Sequence, residues 1–132
     1  MDELHDAQRW MEYARDDLRA AACSLQADPP LLRHVTYNCQ QCVEKALKAV
    51  LIRMSRRFQP THDLTALAAE LLDVLPGLRE RLADLDWLKN WVVMARYPMD
   101  CGCVRRADAK RAMALATEML DILAETGTWP GR

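Results

Sequence analysis

From Leu4 to Leu25 an apolar side chain returns at alternating steps of three and four residues: Leu4, Ala7, Met11, Ala14, Leu18, Ala21 and Leu25. That spacing draws a single stripe along a 3.6-residue helix, and a strand, whose side chains alternate with period two, cannot bury the same set. A striped helix needs partners that cover the stripe. The rest of the chain offers helices rather than a sheet, because four glycines and one phenylalanine leave little material for hairpins or aromatic strands. The fold class expected is therefore all-α.

Proline and glycine divide the remainder. Asp28-Pro29-Pro30 stops the first helix, since proline disfavours helical geometry in the residue before it. A second helix is expected from about Leu31 to Arg57, with Val35, Cys39, Val43, Ala46, Val50 and Met54 on its buried face. Glu44 and Lys48 stand four apart in the favourable order and are placed on the opposite, solvated side. After the Gln59-Pro60 loop, Thr61 is the expected N-cap of a third helix reaching about Leu75. Pro76-Gly77 then punctuates the chain. A fourth helix covers roughly residues 78–97, in one or two pieces, and a last one runs from about Val104 to Thr126. One bundle of four to five helices spanning 1–126 accounts for the chain, with 127–132 a frayed tail.

Composition narrows the class further. No apolar run approaches the roughly 20 residues that cross a bilayer, so no membrane is expected. The start, MDELHDAQRW, is acidic and polar, unlike a basic and then apolar signal peptide, and a cytoplasmic location follows as the expectation. Five cysteines, an odd number, are expected to stay reduced. A formal net charge of −1 gives no bulk sign of a nucleic-acid binder. Neither a Gly-rich dinucleotide loop nor a P-loop, His-Glu-x-x-His or Gly-x-Ser-x-Gly motif occurs, and no cofactor is expected.

Several motifs nevertheless come in a telling order: Trp10-x3-Ala14-x2-Asp17-Leu18, then Tyr37-x2-Gln40-Gln41-x2-Glu44-Lys45-Ala46-Leu47-Lys48. Pro60-Thr61-His62-Asp63-Leu64 follows, then Ala95-Arg96-Tyr97-Pro98, then an alanine-rich final helix. In this order the chain resembles the small stand-alone HEPN-domain proteins of bacteria and archaea, from about residue 4 to 124. The resemblance implies an up-and-down bundle, commonly a homodimer, often paired with a small nucleotidyltransferase in a toxin–antitoxin-like system. It also implies an RNA connection. Some members are metal-independent endoribonucleases that use an Arg-x4–6-His motif on a late helix. This chain departs there, because no histidine follows His62. Arg57-Phe58-Gln59-Pro60-Thr61-His62 has the spacing but spans a helix end and a proline loop, and it is read as a chance match.

The residues left to carry chemistry are few. His62 is expected in the first turn of helix three, where the positive dipole end favours a neutral imidazole, with Asp63 beside it. Arg96 offers a fork for phosphate and Tyr97 a ring for a base, both held at a helix exit by Pro98. Arg105 and Arg106 open the last helix at the dipole end that disfavours cations. Solvated surface charge explains those two without a ligand, and an approaching phosphate is the functional alternative. Cys39, Cys42, Cys101 and Cys103 sum to four thiols, but the first two lie within a continuous helix, and no metal site is expected.

The expected function is a binding module: nucleotide or RNA phosphate held by Arg96, Tyr97, His62, Asp63, Arg105 and Arg106, acting with a partner nucleotidyltransferase. The first alternative is a metal-independent endoribonuclease with His62 and Arg96 catalytic. The second is a structural helical partner without a small-molecule site.

Overall fold

The structure is a computed structural model that describes residues 3–58, 60–91 and 104–126, with side chains from residue 6. The Arg96-Tyr97-Pro98 exit, the Cys101-Gly102-Cys103 turn and the tail at 127–132 lie outside the described residues. The described elements are all helical: α1 (Glu3–Gln26), α2 (Leu32–Arg53), α3 (Leu64–Ala69), a 3₁₀ segment η1 (Pro76–Arg81), α4 (Leu82–Lys89) and α5 (Arg106–Ala124). The chain is an all-α helical bundle, as its patterning predicts.

Helices α1 and α2 form an antiparallel pair. The Leu31 N–H donates to the Ser24 carbonyl at 2.9 Å to close the turn, and Lys45 reaches Asp17 at 2.7 Å across the pair. The predicted stripe of α1 is in the core, with Ala7, Met11, Ala14 and Ala21 fully buried. Helix α2 is the centre of the molecule. It packs against α1, α5, α3 and α4. Cover on so many sides buries Leu47 and Leu51 as completely as the expected Val35, Cys39, Val43, Ala46 and Val50. It also buries Thr36, Gln40 and Glu44, which are polar.

Two helix ends differ from their expected positions. Helix α2 stops at Arg53 rather than Arg57 because Ser55 adopts the left-handed region at φ 56°. The Ser55 N–H then returns to the Ile52 carbonyl and the Arg56 N–H to the Leu51 carbonyl, at 2.9 and 2.8 Å. This is a Schellman closure made without the usual glycine, so the sequence carried no stop signal. Arg56, freed from the helix, donates to the Glu70 carbonyl at 2.8 Å beyond the end of α3. Helix α3 ends at Ala69, not Leu75, and residues 70–74 turn toward Pro76 at the start of η1.

Helices η1 and α4 are fastened to α5 by charge and by rings. Arg81 of η1 pairs with Glu118, and Arg111 of α5 reaches Asp84 of α4 at 3.5 Å while its guanidinium lies 4.0 Å from the Trp87 ring centre. Trp87 in turn meets Trp91 edge-on at 5.8 Å. Leu47, fully buried at the middle of the core helix, reports on the whole arrangement. Leu47→Ala should lower the unfolding free energy by about 2–5 kcal/mol in chemical denaturation, with an unchanged m-value.

Candidate functional site

Gln40, Glu44 and Lys48 stand four apart on α2 and so share one face of it. That face is not the solvated one the sequence suggested. Glu44 keeps only 3% of its side-chain surface, under the loop leading into α3, and Lys48, beside Trp10 of α1, only 11%. Gln40 holds that loop in place. Its Nε2 donates to the His62 carbonyl at 3.3 Å and to Glu44 Oε1 at 3.2 Å, while its Oε1 accepts from Gln41 at 2.8 Å.

The loop delivers His62 onto the buried carboxylate. Nδ1 of His62 lies 2.9 Å from Glu44 Oε1 and 3.1 Å from Oε2. A carboxylate accepts and does not donate, so the proton sits on Nδ1, and in the neutral ring Nε2 is left with a free lone pair. The His62 side chain is 69% exposed, so its outer edge meets solvent. Lys48 Nζ donates to Glu44 Oε2 at 2.9 Å and lies 5.6 Å from the Trp10 ring centre on α1. Both oxygens of the carboxylate thus have donors, which is the condition for keeping a carboxylate buried.

His62 is placed differently from the expectation. It precedes α3 and does not occupy its first turn; Asp63, not Thr61, is the N-cap. What faces His62 Nδ1 is therefore the Glu44 carboxylate and not the open end of a helix. The Thr61 hydroxyl accepts from the Asp63 N–H at 3.0 Å. Asp63 Oδ1 accepts from the N–H groups of Thr65 and Ala66 at 3.0 and 3.3 Å, from the Thr65 hydroxyl at 2.6 Å, and from Lys89 at 3.3 Å. The Thr65 hydroxyl above all, then Ala66 and Lys89, holds the Asp63 carboxyl below its ordinary range against the opposing effect of burial. Lys89 is raised in turn, chiefly by Asp86 and then by Asp63. Asp63 is occupied with capping, whereas His62 presents a free edge.

The remaining candidates lie elsewhere. Arg105 is the residue before α5, exposed, with its backbone N–H and its Nε both directed to Asp108 at 3.1 and 3.4 Å. Arg106 begins the helix and is exposed. The described contacts do not join either arginine to His62. Arg96 and Tyr97 lie outside the described residues. Cys39 and Cys42 are core residues; burial pushes the Cys39 thiol up to about 12 and the Cys42 thiol up as well. Among the described residues no cluster of three or more His, Cys, Asp or Glu side chains is placed to hold a metal ion, and no helix is long and apolar enough to cross a membrane.

Sequence reasoning missed Glu44, Gln40 and Lys48 as parts of this site. The available signal was their spacing of four on a helix that is central to the bundle, where a polar stripe has to be covered.

With this geometry in view, comparison with protein families gives one result: residues 7–126 match the HEPN domain. The chain belongs to the HEPN family. Membership makes it, in a general sense, a nucleotide- or RNA-related module. No curated protein and no solved structure is matched.

Two outcomes test the site. Glu44→Ala should cost about 1–3 kcal/mol of stability through the donors it strands. In ¹⁵N-resolved spectra of the neutral histidine ring, the same change should abolish the Nδ1–H preference of His62. The second concerns pH. Asp63 is depressed in the folded protein, so its contribution is complete above the unfolded value of roughly 3.9 and is lost as pH falls through the folded value. Asp63→Asn should flatten the acid side of the stability curve below about pH 4 while leaving its slope at neutral pH unchanged.

Proposed function

We propose that this HEPN domain binds nucleotide or RNA phosphate on the face around His62, with Arg96 and Tyr97 completing the site and Arg105 and Arg106 adding positive charge. We further propose that it works as a homodimer beside a partner nucleotidyltransferase, in a toxin–antitoxin-like pair. The observation that carries the reading is His62: an exposed imidazole whose orientation is fixed from behind by a carboxylate with 3% exposure. A ring locked in this way accepts from a ribose hydroxyl at Nε2, or in its protonated form donates there to a phosphate oxygen, without first losing rotamer freedom.

The same observation supports a second reading, metal-independent RNA cleavage. A general base needs a neutral nitrogen with a free lone pair and a third group that orients the ring. Nε2 of His62 has the first and Glu44 is the second. In this reading Nε2 takes the proton of the RNA 2′-hydroxyl as that oxygen bonds to the adjacent phosphorus, and Arg96 stabilises the charge that gathers on the phosphorane-like transition state. The bond from phosphorus to the 5′-oxygen then breaks, that oxygen taking a proton from the imidazolium or water and leaving a 2′,3′-cyclic phosphate.

The test is incubation of labelled cellular RNA with the purified protein in EDTA, beside His62→Ala and Arg96→Ala. The binding reading expects intact RNA, saturable retention of RNA or nucleotide by the wild type, and about tenfold weaker retention by either variant. Cleavage by the wild type that falls roughly 10²–10⁴-fold in His62→Ala would put the nuclease reading first. Intact RNA together with no retention would sink both.

A further inference from the structure

Beside the core stripe of α1 runs a second one. Asp6, Arg9, Trp10 and Tyr13 follow the i, i+3, i+4, i+7 spacing of a single helix face, and they are not core residues: Arg9 and Tyr13 are exposed, Asp6 and Trp10 partly so. Ile52, from the far end of the antiparallel α2, closes the other side. Together the five line a cavity of about 260 Å³. Its lining combines two aromatic rings, a guanidinium, a carboxylate and an aliphatic side chain. Arg9 Nη2 donates to Tyr13 Oη at 3.5 Å, which places the guanidinium alongside the phenol.

A relay of side-chain contacts runs from this cavity to the His62 cluster. Lys48 is the link, 5.6 Å from the Trp10 ring centre on one side and 2.9 Å from Glu44 on the other, and Glu44 carries His62. We propose that the groove of Asp6, Arg9, Trp10, Tyr13 and Ile52 is a nucleobase site, and that it receives the base of the ribonucleotide whose phosphate the His62 cluster holds. The proposal rests on the nucleotide-binding reading above and adds to it where the base goes.

Each wall has a role. Trp10 and Tyr13 give flat apolar faces on which a base stacks, with Ile52 beneath. Arg9 brings a positive planar group that packs on a base or reaches a phosphate. Asp6 sets the preference. A carboxylate accepts hydrogen bonds only, and guanine presents two adjacent N–H donors on one edge where adenine presents a single amine. Guanine is therefore the base that satisfies both carboxylate oxygens.

The test is calorimetric titration of the full chain with GMP, AMP and ribose 5-phosphate. The expected order is GMP over AMP over ribose 5-phosphate, with GMP tighter than the base-less sugar phosphate by roughly tenfold or more. Tyr13→Ala and Arg9→Ala should each remove much of that margin. Both positions are exposed, so the variants should fold, which a thermal melt checks. Trp10→Ala should remove the margin as well, and because Trp10 also packs on the core, Trp10→Phe and Tyr13→Phe should restore it by returning a ring. Asp6→Asn should narrow the gap between GMP and AMP. Equal affinity for GMP and ribose 5-phosphate, weakened by His62→Ala, would overturn the base site and leave the phosphate reading standing. GMP affinity unchanged in both Tyr13→Ala and Arg9→Ala would overturn it too, including where a second copy of the chain covers the groove. Absence of binding by all three ligands would overturn it, and absence of RNA retention in the earlier assay would then take the phosphate reading with it.

Discussion

A carboxylate buried in the central helix of a small bundle is the constraint on which the rest of this structure turns. Removing an unpaired carboxylate from water costs several kcal/mol, so Glu44 is tolerable only with donors on every side. Those donors come from three places: Gln40 and Lys48 one turn away on α2, and His62 from the loop before α3. Lys48 in turn rests near Trp10 of α1. The requirement to satisfy one buried charge thereby fixes where a loop lies and which nitrogen of a histidine carries its proton. It also ties that loop to the first helix.

The apolar core and this polar cluster divide the labour. The core supplies stability: Met11, Leu47, Leu51, Leu64, Leu67, Leu85, Leu88 and Met119 are all fully buried, and such side chains give about 1.5–3 kcal/mol each. It says little about orientation, since dispersion and apolar burial are non-directional. The hydrogen-bonded carboxylate adds direction. It is a poor source of net stability and a good means of holding one exposed ring in one pose.

The parts that could be read in advance share a cause, and so do those that could not. The α1 stripe, the proline stop at Asp28-Pro29-Pro30 and the all-helical class are short-range matters of periodicity and backbone geometry. His62 stood out because it lies in Pro60-Thr61-His62-Asp63-Leu64, beside a cap. The end of α2 was misread because Ser55 adopts a left-handed conformation that glycine normally announces. Glu44 and Lys48 were misread for a different reason. A Glu–Lys pair four apart is the commonest pattern of an exposed helix face, and only cover from a distant segment turns it into an interior one.

By itself, then, the sequence determined the helices, their approximate breaks and the family. These follow from local rules that act over a few residues and leave a periodic record in the chain. The tertiary structure alone decided that the polar side of α2 is covered, that His62 stands before α3 rather than within it, and that Glu44 selects its tautomer. It alone joined Trp10 to Lys48 across an antiparallel pair and set Ile52 opposite Asp6, Arg9 and Tyr13. Contacts between residues many positions apart depend on how whole helices pack, and no local periodicity encodes which faces will meet.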